Sequence, residues 1–213
     1  MRKIVFMFAL IVATIAAQAQ ITTLKKGFKT VDGTAMHPGE HVYPSDGSKK
    51  GNEAAFKLYE AAAQNGNAEA QCNLGYCYEK GLGIKKNVES AAAWYIKGAE
   101  SGSSVAAYNA ALCYKNGDGV KKDKQKAVAL LEQSANMGYA QAQTYLATMY
   151  YEGQIVKRNR DTAAELWTKA AQSGCPEAQW NIAVCYQEGD AVKRDDKAAV
   201  VWMEKAAEQA RQA

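Results

Sequence analysis

Histidine is almost missing from these 213 residues. Both copies lie in one stretch, "HPGEH", from His37 to His41. The letters fit H-x-x-E-H, a metallopeptidase pattern that needs both imidazoles on one helix face toward a metal. Pro38 and Gly39, the two poorest helix formers, stand between them. The stretch therefore reads as a turn, and no metal or other cofactor is expected. Everything after His41 lacks an imidazole base. A Ser-His-Asp or Cys-His arrangement would have to reach back to this one segment. There is also no S-x-x-K motif. The carboxylates are spread along the chain, with no apolar setting that would raise one pKa for acid–base work.

Other scarcities narrow the class further. Proline occurs three times and phenylalanine four times, while alanine is abundant, which suits a soluble helical protein. Long apolar runs are limited to one. Ile4 to Ile15 follows the basic start Met1-Arg2-Lys3 and is short for a bilayer span. It ends near Ala17 and Ala19, a small-x-small pattern, so residues 1–19 read as a secretory signal peptide cut after Ala19. No Cys sits at the cleavage point, where Gln20 stands, which argues against a lipid anchor. Removing Arg2 and Lys3 takes the formal charge from +4 to +2, leaving 24 basic against 22 acidic residues. That balance does not suggest nucleic acid as a partner. The chain is expected to be exported, to a periplasm or beyond.

What the sequence has instead is one unit repeated at 36 residues. Gly66, Gly102, Gly138 and Gly174 keep that step, as do Gly81, Gly117, Gly153 and Gly189. Tyr78, Tyr114, Tyr150 and Tyr186 follow it, and so do Ala70, Ala106, Ala142 and Ala178. A fixed period of this length marks stacked supersecondary units. Within the first unit, Ala70, Leu74, Cys77 and Tyr78 share one face of a helix that Gly81 stops. Asn87, Asp123, Asn159 and Asp195 occupy one register and are expected to cap a second helix. Ala91, Trp94, Gly98 and Ala99 form that helix's expected inner face, and Gly102 ends it. Gly75, Ala111, Ala147 and Ala183 are small enough to let the two helices approach closely. The Gly-rich link between helices is thus a turn. A phosphate loop would need a preceding strand and fuller glycine spacing.

The stretch "AEAQCNLGYCYEKGLGIKKNVESAAAWYIKGAESG" resembles the Sel-one-like repeat (SLR) family, related to the tetratricopeptide repeat. Four copies occupy 68–103, 104–139, 140–175 and 176–211. Residues 53–67 read as an unpaired second helix, and 20–52 as an irregular lead with a short strand over Ile21 to Leu24. Departures include Leu130 and Leu166 in place of Trp. Gln154-Ile155 and Asp190-Ala191 lack the second loop glycine. The resemblance implies an all-α fold, a right-handed α/α superhelical solenoid with first helices lining a concave face. It also implies a non-catalytic scaffold or adaptor that binds a protein or peptide partner. The readings set against this are a cell-wall or β-lactam hydrolase and an envelope-polymer binding module.

On that concave face, positions five and six of each first helix are candidates for partner contact: Asn73, Tyr108, Asn109, Tyr145, Trp180 and Asn181. A carboxamide row can pair with an extended peptide backbone, and neighbouring rings add contact area. Some members of the resembled family staple their repeats with cystines, one Cys on each helix. Here Cys77, Cys113 and Cys185 share a first-helix register with Met149, and the second helices carry no Cys. An apolar packing role follows, without a regular disulfide ladder. With five cysteines, one bridge from Cys72 or Cys175 stays open. Lys85-Lys86, Lys121-Lys122, Lys157-Arg158 and Lys193-Arg194 recur in the loops, suited to an acidic partner or to solvent. Val200, Val201, Trp202 and Met203 leave the last helix apolar on more than one side, which predicts self-association or docking there.

Overall fold

The computed structural model describes residues 48–212 except Gln154, with the side chains of 209–212 left aside. The expected signal peptide, the strand at Ile21 to Leu24 and the "HPGEH" turn all lie outside the described residues. Within them the elements are α1 (Lys49–Gln64), α2 (Ala68–Lys80), α3 (Val88–Glu100), α4 (Ser104–Asn116), α5 (Lys124–Asn136), α6 (Ala140–Glu152), α7 (Arg160–Gln172), α8 (Pro176–Glu188) and α9 (Asp196–Gln212). Each helix packs on the one before it and the one after it, and α2 also touches α4. The result is an α/α solenoid in which α2, α4, α6 and α8 form one wall and the second helices form the other.

Local chemistry sets each boundary. Asn87, Asp123 and Asn159 accept amide hydrogen bonds at the starts of α3, α5 and α7, and Asp195 does the same for α9. These side chains satisfy amides that have no partner inside the helix. The first helices end on Gly81, Gly117, Gly153 and Gly189, all left-handed, each returning its amide to the residue-four-back carbonyl. One further bond closes every hairpin. The amide of the cap residue donates to the tyrosine carbonyl nine residues earlier, at 2.9 Å in all four copies, as in Asn87 N to Tyr78 O.

Helix α1 begins at Lys49, four residues before the expected Glu53. Ser48 explains the early start, because its Oγ accepts from the Gly51 amide at 3.0 Å. On the second helix, Ala91, Gly98 and Ala99 are buried as expected, and only Trp94 departs from expectation. Trp94 is only partly buried, while its neighbour Tyr95 is buried and donates to Glu79 Oε2 at 2.8 Å. Leu131 and Trp167 fill the same inner position in the next two repeats. Gly75 makes room for this: a Cβ there would stand 2.7 Å from the Tyr95 ring.

In three of the four repeats a buried carboxamide ties the repeat to the helix before it. The Nε2 groups of Gln71, Gln143 and Gln179 donate to the Ala63, Ala135 and Ala171 carbonyls at 3.1, 3.0 and 3.2 Å. Those carbonyls end the preceding second helices and would otherwise be buried without a donor. The second repeat has Ala107 at this position. There Gln133, from the neighbouring helix α5, donates to the Ala99 carbonyl at 3.0 Å. The same acceptor is satisfied from the opposite side.

A candidate partner-binding groove

The candidate residues at positions five and six all lie on the first helices. Their exposure changes along the solenoid. Tyr108 and Asn109 of α4 have no accessible surface, and Asn73 of α2 has only 5%. Tyr145 of α6 and Trp180 and Asn181 of α8 are partly exposed. The expected row of six is thus divided into a buried half and an accessible half. The burial has a packing cause. The Asn109 amide reaches back to Cys72 Sγ at 3.7 Å, so it lies against the previous repeat instead of facing outward.

Around Tyr108 the rings form a cluster. Tyr139 packs edge-on with centroids 5.4 Å apart, and Tyr145 packs at 6.4 Å and 90°. Lys115 Nζ sits 4.8 Å from the Tyr145 ring centre, a cation–π contact that steadies it. Burial pushes the Tyr108 and Tyr139 phenols well above their ordinary pKa, so both stay protonated. The Tyr108 hydroxyl has no hydrogen-bond partner among the described residues. Tyr139 and Lys115 escape a reading of the sequence because they lie outside positions five and six. The available signal is an aromatic residue at position 139, where the two earlier repeats place the caps Asn67 and Ser103.

All five cysteines are buried and unbridged. Burial raises every one whose shift is resolved, Cys72 and Cys113 to about 12 and Cys185 to about 11. Cys175 is raised as well, although the Thr144 hydroxyl, 3.3 Å away, works against the shift. Thiols in this state do not supply a thiolate nucleophile at neutral pH. No group of His, Cys, Asp and Glu among the described residues is placed to hold a metal ion.

The repeat seen in the packing is matched by known proteins. The family described as "Sel1 repeat" matches residues 39–67, 68–103, 104–139, 140–175 and 176–210. The chain belongs to the Sel1 repeat family. Its first matched unit begins at residue 39, ahead of the helix α1 that closes it. None of the curated proteins compared with it matches. Among solved structures, a Sel1 repeat protein from Oxalobacter formigenes is 32% identical with a TM-score of 0.67, covering 74% of this chain and 62% of that one. A protective antigen present in uropathogenic Escherichia coli strains, displaying an SLR fold, is 37% identical with a TM-score of 0.67, covering 72% of this chain and 33% of that one. This Sel1 repeat chain therefore corresponds to less than two thirds of either relative's length. Sel1 repeats generally mediate protein interactions and are generally non-catalytic. No helix among the described residues is long and apolar enough to cross a membrane.

Proposed function

We propose that this chain is an exported, non-catalytic scaffold that holds a peptide or protein partner along the concave wall of its first helices. The observation that carries this reading is the accessible set Tyr145, Trp180 and Asn181 on α6 and α8. The two rings offer contact area with few torsions to freeze. The Asn181 carboxamide can donate to and accept from an extended backbone. Tyr108 supports Tyr145 from below, and Lys115 holds it from the side. Asn73, Tyr108 and Asn109 form the floor of this wall. Export rests on the Met1 to Ala19 pattern. Protonated thiols and a repeat array without histidine support the absence of catalysis.

Photo-crosslinking in the native compartment tests the reading. A crosslinker at position 145 or 180 should capture a protein that one at Lys97, exposed on α3, does not. Tyr145→Ala with Trp180→Ala should lower that capture about tenfold or more, as for contact hot spots. Equal capture from position 97, or turnover of cell-wall or β-lactam substrates by the purified chain, overturns it. We infer a second contact surface at α9, where Val200 and Val201 are 53% and 49% exposed. Sedimentation that stays monomeric at all concentrations removes that inference.

A further inference from the structure

The loops between helices carry a surface separate from the concave wall. We propose that the first three loops, from Lys85 to Arg160, form a docking edge for a linear phosphate polymer. Both cations of every loop pair are exposed, and Lys49-Lys50 continues the same register at the start of α1. The edge is not uniform. Between positions 82 and 162, counting only the loops and the first turns after them, nine cations stand against four carboxylates, and one of the nine, Arg160, pairs with Asp190 of the fourth loop. At the fourth loop and its following turn, three cations stand against three carboxylates.

The array is also held in place. The second cation of each pair rests over the glycine that ends the first helix. A Cβ on Gly81 or Gly117 would lie 3.4 or 3.5 Å from the Lys86 or Lys122 Cβ. The shared 2.9 Å hairpin bond closes each loop between the same two positions. Neighbouring pairs therefore recur at roughly the spacing of packed helices, about 8–10 Å. Two of the four carboxylates on this edge are engaged locally: Asp123 caps α5, and Asp118 accepts from Asn116. Lys85, Lys86, Lys121, Lys122 and Lys157 have no ion pair among the described residues.

The partner's chemistry follows from these groups. Lysine is a compact point charge suited to phosphate oxygens, and the rows hold mostly lysine. A flexible chain can follow a curved edge. At the second and third loops the aromatic residues offer no platform for stacked bases. Lys126 stands 5.3 Å above the Tyr114 ring, and Tyr150 donates to Glu132 at 3.4 Å. At the first loop, where Ser90 replaces that covering lysine, an open cavity of about 570 Å³ is lined by Tyr78, Lys85, Lys86 and Asn87, with Glu89 at the same rim.

Binding of long-chain inorganic polyphosphate, measured at several salt concentrations, tests the proposal. Lys121→Glu with Lys122→Glu should weaken binding at least tenfold. It should also reduce the slope of log K against log salt by about 1.4, from two contacts at about 0.7 each. Lys193→Glu with Arg194→Glu, the same charge change at the balanced loop, should weaken it less than about threefold. Tyr145→Ala with Trp180→Ala should leave it unchanged, so this result and that of the concave wall fail independently. If the second-loop variant loses helicity, Lys85→Glu with Lys86→Glu serves in its place. Equal losses at the second and fourth loops, no polyphosphate binding, or tighter binding of a single-stranded oligonucleotide of equal charge overturns the proposal.

Discussion

The first two repeats and the last two share one backbone plan but meet its local demands differently. In the first two, Asn67 and Ser103 cap α2 and α4 with side-chain hydrogen bonds. In the last two, Tyr139 and Cys175 stand at the equivalent places without a side-chain cap bond. The second loop glycine shows the same division. Gly83 and Gly119 take φ of +71° and +68°, while Ala191 is held at +66°. The later repeats place one ring and one thiol where the earlier ones place caps. Accessible groove residues also belong to the later repeats, and unbalanced cations to the first three loops. A solenoid with a common plan can thus assign local stability and surface chemistry to different stretches.

The sharpest way to break this comparison is at Gly119. A Cβ there would overlap the Val88 carbonyl at the start of α3, which is backbone and cannot swing aside. Gly119→Ala should lower the unfolding free energy by more than about 2 kcal/mol in urea denaturation. A loss below about 1 kcal/mol would mean that the loop relaxes freely and that the glycine is incidental.

Next in size is the compensation in the second repeat. Gln133→Ala removes the donor to the buried Ala99 carbonyl and should cost about 1–2 kcal/mol. Adding Ala107→Gln restores the donor used by the other repeats and should recover most of that loss. Two losses that simply add would show that the carboxamide bond is not what the two positions have in common.

Much of this fold was legible because it rests on short-range rules. Cap residues, left-handed glycines and a 36-residue step are each visible within a few residues of their effect. The inner face of the first of the second helices holds at Ala91, Gly98 and Ala99 and differs only at Trp94, because the space opened by Gly75 is matched to Tyr95. The groove was legible in register and not in depth. Positions five and six do lie on the first helices, yet burial of Tyr108 and Asn109 depends on neighbouring repeats. That information comes from the stacking of one unit on the next, which a periodic pattern does not encode. The same reason hides the pairing of Gln133 with Ala107, two residues that look like unrelated departures in one dimension.

At the fourth loop the expected change has the opposite sign to that at Gly119. Ala191 sits in a conformation that costs an L-residue roughly 1–2 kcal/mol. Ala191→Gly removes that strain and adds freedom to the unfolded chain, so a net gain of about 0.5 kcal/mol is expected. Thermal or urea unfolding that shows a loss would place the Ala191 methyl among necessary packing contacts.

The smallest effect concerns what holds this fourth loop to the third repeat. The Tyr151 hydroxyl donates to Asp190 Oδ2 at 2.6 Å, and Arg160 pairs with Oδ1. The Tyr151 bond first, then the Arg160 charge, holds the Asp190 carboxyl below its ordinary pKa. A depressed carboxylate pKa stabilises the fold above the unfolded value of about 3.9, and that contribution fades as pH falls through the lowered one. The difference in unfolding midpoint between the native chain and Asp190→Asn should therefore be constant from neutral pH to about pH 5, then shrink in stronger acid. The first two loops lack this arrangement, with Leu82 and Asp118 at the matching position. Tyr151→Phe removes the first of these contacts and should narrow that pH-dependent difference. A difference unchanged by Tyr151→Phe would mean that the Tyr151–Asp190–Arg160 contact does not distinguish the two ends of the array.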